Sequence, residues 1–190
     1  MATRTIYIFR HSESTDNKHQ IFSGWRDPKL TAKGIAQAKK IAQKLKRKDI
    51  NIAFTSDLTR AIQTLNEVLK FHKNVPVIVD ARLRERDYGR LTGTSKTAFE
   101  KKNPKLYRVY HRSYNVGPPK GESFKQVNAR VAPFIKDLLH IVKEFKVNVA
   151  ISAHGNSIRP LRKHFEHLTI SEMRRIENPH DKYWAYRVTV

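Results

Sequence analysis

The sequence predicts an α/β protein, a three-layer α/β/α sandwich around a mainly parallel sheet. Two patterns carry that expectation. Short apolar runs alternate with longer amphipathic stretches of helical period along the chain. Arginines, histidines and a carboxylate recur just after the apolar runs, where the carboxyl ends of parallel strands place ligands.

Taken in order, "TIYIF" reads as the first strand and leads straight into Arg10 and His11. "LTAKGIAQAKKIAQKLKRK" follows as an amphipathic helix, with Ile35, Ala38, Ile41, Ala42 and Leu45 on one stripe and Thr31 as N-cap. "NIAFTS" is a second strand, "DLTRAIQTLNEVLKFH" a second helix and "VPVIVD" a third strand. From about Ala81 to Gly121 the chain is polar, glycine-bearing and without a clear period. It is too long for a simple connection and reads as a lid or substrate-recognition insert. "GESFKQVNARVAPFIKDLLHIVKEF" is a long helix, kinked at Pro133. "VNVAISAH" is the strongest strand. "NSIRPLRKHFEHL" opens a helix that Pro160 can enter only near its first turn. "SEMRRIE" adds one or two helical turns, and "YWAYRVTV" closes the chain as a strand. No repeat or low-complexity segment interrupts this order, so residues 1–190 are read as one domain with an insert at about 81–121.

The 190 residues, 39% of them apolar, suffice to bury a core without covalent staples. No apolar run approaches the ~18 residues of a membrane-spanning helix, and the N-terminus lacks a signal-peptide pattern. The absence of cysteine excludes disulfides, thiol catalysis and thiolate metal sites. Together these point to the cytoplasm and away from a membrane. Charge is the outlier: 38 Lys+Arg against 17 Asp+Glu give a formal +21. Such a surface attracts polyanions, nucleic acid or phosphorylated metabolites alike. The lysines are spread over helices, and no RNA-binding, zinc-finger or zipper motif is present. The charge therefore reads mainly as solvated surface. A non-catalytic, polyanion- or nucleic-acid-binding role is the remote alternative, and a homo-oligomer is compatible with the sequence.

The expected ligand edge collects a specific set. Beyond strand one lie Arg10, His11, Glu13 and Asn17, and beyond strand two lie Thr55, Ser56 and Arg60. Beyond strand three come Arg84, Glu85 and Arg86, and after "VAIS" come His154, Gly155, Asn156 and Ser157. A neutral imidazole is a nucleophile toward phosphorus near pH 7. Arginine forks neutralise the non-bridging oxygens, and helix N-termini add N–H donors. A Glu85 with a raised pKa would protonate the leaving oxygen. One carboxylate among arginines makes a poor cage for a dication, so the set favours metal-free phosphoryl transfer. Taken singly, each residue has an ordinary reading: a basic loop, a capped helix start, a surface ion pair. Their convergence on one sheet edge favours the site.

These residues carry a family resemblance. "RHSESTDNKHQIFSGWRDPKLTAKG", "TSDLTRAIQT", "LRERDYGRLTGTSK", "HRSYNVGPPKGES" and "AHGNSIRPL" resemble, in the same order, the signatures of the histidine phosphatase superfamily, in its cofactor-dependent phosphoglycerate mutase branch. The resemblance spans about Tyr7 to Glu172. It implies a phosphohistidine on His11, with Arg10, Arg60 and His154 holding the phosphoryl group and Glu85 as proton donor and acceptor. It implies substrate contacts from Asn17, Ser23, Gly24, Tyr88, Lys96, Asn156 and the His111-Arg112 pair. The implied reaction is interconversion of 2- and 3-phosphoglycerate, in glycolysis and gluconeogenesis, primed by 2,3-bisphosphoglycerate and without a metal. A histidine phosphatase hydrolysing small phosphomonoesters through the same intermediate stays open. Three features depart from the family pattern. Ser12 stands where glycine is usual, and His111 stands where a first arginine is usual. "ENPHDKYWAY" replaces a Thr-Gly turn, leaving His180 and Lys182 without a role. His164 and His167 read as surface residues, and Tyr183, Trp184 and Tyr186 as sheet packing.

Overall fold

The computed structural model describes residues 2–190, apart from the side chain of Arg112. In chain order the elements are β1 (Thr3–Arg10), α1 (Thr15–Lys18), α2 (Ala32–Leu45), β2 (Ile52–Thr55), α3 (Thr59–Leu69) and β3 (Val77–Val79). Then follow α4 (Lys96–Lys102), α5 (Pro104–Arg112), α6 (Phe124–Glu144), β4 (Val149–Ala153), α7 (Gly155–Phe165), α8 (Ile170–Arg175) and β5 (Tyr183–Thr189). The five strands form one sheet in the order β3-β2-β4-β1-β5, parallel except for β5, which runs antiparallel to β1.

The alternation along β1 builds the two outer layers. Ile6 and Ile8 join a core with Val127, Val131, Phe134 and Leu138 of α6 and Ile158 of α7. Tyr7 and Phe9 point the other way, into Ile41 and Leu45 of α2 and Leu65 and Val68 of α3. β4 is buried along its whole length, as a central parallel strand covered on both faces must be. Each fully buried aliphatic or aromatic side chain contributes roughly 1.5–3 kcal/mol. The expected sheet packing at the C-terminus is present, with Tyr183 edge-on to Tyr7 and Tyr186 stacked on Phe165.

Several local expectations need correction. Ile35 is 40% exposed. The helical stripe instead runs through Gly34, where a Cβ would lie 2.1 Å from the Glu13 carbonyl oxygen, so α2 can approach the loop after β1 only through a glycine. Thr31 does cap α2, its Oγ1 accepting the Gly34 N–H at 2.9 Å. Pro160 lies in the second turn of α7, not the first, because the helix already starts at Gly155. The 81–121 stretch is mostly helical. It holds α4 and α5 besides 3₁₀ turns at Ala81–Leu83 and Gly89–Leu91. Gly89, at φ +51°, lets that segment fold back on residues 119–121, where a Cβ would sit 2.3 Å from the Pro119 carbonyl.

Candidate active site

The parallel pairing of β1 with β4 ends at Arg10 opposite Ala153. The next residues of the two strands, His11 and His154, therefore emerge side by side. His11 N–H donates to the Ala153 carbonyl at 2.8 Å, and the two imidazoles stand 4.9 Å apart, both rings buried. His11 Nδ1 lies 2.8 Å from the Ser12 carbonyl, which can only accept. The ring proton is thereby assigned to Nδ1, and Nε2 keeps its lone pair. Burial, then the Arg60, His154, Arg10 and His180 neighbours, push the His11 pKa well below its usual value. The ring is neutral at pH 7, as a nucleophile must be.

Around it lie donors without protein partners. Arg60 comes from the first turn of α3. Its terminal nitrogens are held by the Arg26 carbonyl at 2.7 Å and the Gly24 carbonyl at 2.9 Å, while buried Nε has no partner. Arg10 Nη1 donates to the Asn178 carbonyl at 3.0 Å, and its buried Nε is likewise unmatched. His154 Nε2 is 2.7 Å from Ser56 Oγ, which itself accepts the Leu58 N–H at 3.3 Å. In the tautomer in which the Ser56 hydroxyl donates to Nε2, the His154 proton lies on Nδ1, a third buried nitrogen without a partner. Leaving a buried donor unpaired costs about 1–3 kcal/mol each. Three of them around one nucleophilic imidazole suit a group with three acceptor oxygens.

Glu85 supplies the carboxylate. Its Oε1 accepts the Arg86 N–H at 2.7 Å and the Asn156 N–H, at the start of α7, at 3.1 Å. Its backbone carbonyl is pinned by Trp25 Nε1 at 2.8 Å and Arg130 Nη2 at 3.0 Å. The expectation of a raised pKa is overturned. Burial alone raises it, but Arg10, the Arg86 amide, Arg60 and the Asn156 amide together hold it below the ordinary carboxylate value. A dianion arriving between Arg10 and Arg60 would offset that field and move Glu85 back toward protonation.

A cavity of about 200 Å³ connects these groups. Arg10, His11, Arg60 and Glu85 line it, with Asn17, Ser23, Tyr88, Lys96, His111 and Asn156 also in its wall. His154 lies buried against His11, and Gly24 serves the site through its carbonyl on Arg60. Arg112 ends α5, its side chain outside the described residues. Sequence reasoning missed Arg159, Glu177 and Asn178, which also line the cavity, and it left His180 unassigned. Ser12 does not crowd the pocket, since its Oγ turns away to the His180 carbonyl at 3.2 Å. Lys182 is exposed.

The neutral histidines make stability pH-dependent. Burial pushes His11 and His154 well below the usual value and His180 down to about 4. Below about pH 6.5 the unfolded chain takes up protons that the folded chain refuses, so stability falls as pH falls. Each refused proton costs about 1.4 kcal/mol per pH unit. Denaturant unfolding at about pH 7 and about pH 5 should show this loss, and His180→Asn should shrink the slope by up to one proton.

His11, Glu85 and His154 bring their ligand atoms within 4.8 Å of one another, the donor set of a two-histidine, one-carboxylate metal site. The Arg10 and Arg60 guanidiniums beside them repel a dication and favour an anion. Among the described residues no helix is long and apolar enough to cross a membrane.

An α/β sandwich whose ligand edge joins a neutral imidazole to guanidinium donors belongs to the class of phosphoryl-group enzymes. Residues 6–186 match the family model of the histidine phosphatase superfamily (branch 1), and the chain belongs to that superfamily. It is 42% identical over 167 residues to the 2,3-bisphosphoglycerate-dependent phosphoglycerate mutase of Nitrobacter winogradskyi, covering 85% of this chain and 80% of that one. Identity to the Mesorhizobium japonicum protein of the same name is 43% over 166 residues, covering 84% and 80%. The fold is that of mycobacterial glucosyl-3-phosphoglycerate phosphatase, with a TM-score of 0.84 at 23% identity over 98% of this chain and 91% of the other. Alpha-ribazole phosphatase from Shigella flexneri gives 0.81 at 23% over 95% and 89%.

Proposed function

We propose that the chain is a phosphoglycerate mutase that interconverts 2- and 3-phosphoglycerate through a phosphohistidine on His11. The observation that carries this reading is the lining of the cavity: besides His11, Arg10 and Arg60, its wall carries Lys96 and Arg159, with His111 beside them. Lys96 is partly buried, and burial followed by Arg10 lowers its pKa. A second group of cations in one small cavity suits a substrate with two anionic groups, a phosphate and a carboxylate. The mutase names of relatives at 42–43% identity support the same choice.

In this reading His11 Nε2 attacks phosphorus in line with the leaving oxygen. Arg10 Nε, Arg60 Nε and His154 Nδ1 take up the three non-bridging oxygens, and Glu85 gives its proton to the leaving oxygen as the bond breaks. The unmatched donors fit a phosphoryl group, and 2,3-bisphosphoglycerate supplies the one that primes His11. In the second half, Glu85 recovers a proton from the hydroxyl of the bound monophosphate as His11 returns the phosphoryl group.

The second reading, a phosphatase using the same phosphohistidine, is favoured by His111, which replaces a permanent cation where an intermediate must be retained. One assay separates the two: coupled mutase activity with and without 2,3-bisphosphoglycerate, run beside phosphate release. Isomerisation stimulated by the bisphosphate is expected, and phosphate release without isomerisation selects the phosphatase. Turnover should also survive EDTA. Loss on chelation with recovery on adding metal would contradict the metal-free reading.

A further inference from the structure

The segment joining α8 to β5 is tied to the nucleophile through its backbone. His180 Nδ1 lies 2.7 Å from the His11 carbonyl oxygen. A carbonyl can only accept, so Nδ1 carries the proton and donates. In return, Ser12 Oγ donates to the His180 carbonyl at 3.2 Å. The two rings, His11 and His180, stand 5.5 Å apart. Two bonds in opposite senses thus close a bridge between residues 11–12 and residue 180.

The neighbouring residues anchor the segment from other sides. Asn178 is 3% exposed. Its Nδ2 donates to the Gly155 carbonyl at 2.8 Å and its Oδ1 accepts from Arg162 Nη1 at 3.0 Å. Lys44 Nζ donates to the Asp181 carbonyl at 3.1 Å. His180 therefore arrives on a fixed segment, not on a free loop.

The bridge acts on the orientation of the His11 ring. Ring orientation depends on the Ser12 carbonyl, which accepts His11 Nδ1–H. That carbonyl belongs to the Ser12–Glu13 peptide, whose amide is held by Gln37 Oε1 at 3.0 Å, and the preceding His11–Ser12 peptide sets where it starts. β1 ends at Arg10, and beyond it the His11–Ser12 peptide is held from two sides, its N–H by Thr64 Oγ1 at 3.0 Å and its carbonyl by His180 Nδ1.

We propose that His180 is a positioning residue for His11, locked in place by Ser12, and that it aims His11 Nε2 at the incoming phosphorus. The proposal rests on His11 being the phosphoryl acceptor. It gives one purpose to two departures from the family pattern, Ser12 and His180: the hydroxyl that glycine lacks fastens the histidine.

The test is single-turnover transfer of label from radiolabelled 2,3-bisphosphoglycerate to the protein. His180→Phe keeps a ring but loses the donor. It should slow phosphohistidine formation by about 10- to 100-fold, the cost of a misaimed reactive group, with the half-saturating concentration unchanged. His180→Asn places an amide N–H where Nδ1 was and should restore the rate to within about threefold. Ser12→Ala should slow the wild type yet add little in the His180→Phe background, because the two residues share one bridge. Should His180→Phe fail to fold, His180→Gln, whose amide falls at the Nε2 position, serves as the misplaced-donor control. A wild-type rate in His180→Phe, or equal slowing in His180→Phe and His180→Asn, overturns the proposal. His11→Ala runs alongside. Absence of label there upholds the acceptor, whereas persisting label overturns His11 as acceptor and the bridge with it.

Discussion

In His11→Ala no phosphoryl group transfers to the protein, and turnover falls by roughly four to six orders of magnitude, the loss typical of removing a covalent nucleophile. The neighbours give no substitute. His154 is the nearest imidazole, yet its Nε2 is engaged by Ser56. His180 is turned to the His11 carbonyl and is not in the cavity wall. The variant is expected to stay folded, because the imidazole packs at the sheet edge against His154 and His180 and lies outside both apolar cores. Quench experiments with acid-labile label, beside circular dichroism melts, check both statements. Acid-labile label on the variant at the wild-type rate would remove His11 from the role proposed here.

Glu85→Gln should separate bond cleavage from proton transfer. Gln keeps an acceptor oxygen for the Arg86 and Asn156 amides but cannot deliver a proton. On phosphoglycerate, whose leaving oxygen is a poor alkoxide, the rate should fall by about 10²- to 10⁴-fold. On nitrophenyl phosphate, whose leaving group needs no proton, the loss should be much smaller. Equal losses on the two substrates would show that Glu85 acts by charge or position and not as an acid. The variant should also be less stable at neutral pH. The Glu85 carboxyl is held below its usual range, so it contributes stability above about pH 4.5 that is lost as pH falls through its folded value. Removing its charge leaves Arg10 buried without that partner.

Much of the molecule is legible in the chain. The period of "AQAKKIAQKL" marks a helix whatever surrounds it, and the unbroken apolar run of "VNVAIS" marks a central strand. Arg10, His11, Arg60, Glu85 and His154 could be gathered in advance because parallel strands send their carboxyl ends to one edge. The 81–121 segment was harder to read. Its helices are only seven and nine residues long and α4 buries none of its residues, and the turn at Gly89 depends on contact with Pro119 across the segment. His180 stayed without a role for a topological reason. Only when β5 is known to run antiparallel to β1, with Tyr183 opposite Phe9, does the preceding segment fall beside His11 and Ser12.

The sequence by itself determined the α/β layering, the residue types at the ligand edge and the superfamily they resemble. These follow from local period and strand polarity, which each segment carries alone. The tertiary structure decided the chemical state of those residues. Glu85 is held below the ordinary carboxylate range because Arg10 lies against it, His154 Nε2 is engaged by Ser56, and the His11 carbonyl is held by a residue 169 positions away. Such properties are set by fields and hydrogen bonds acting over a few ångströms between distant parts of the chain, and they exist only once the chain has folded.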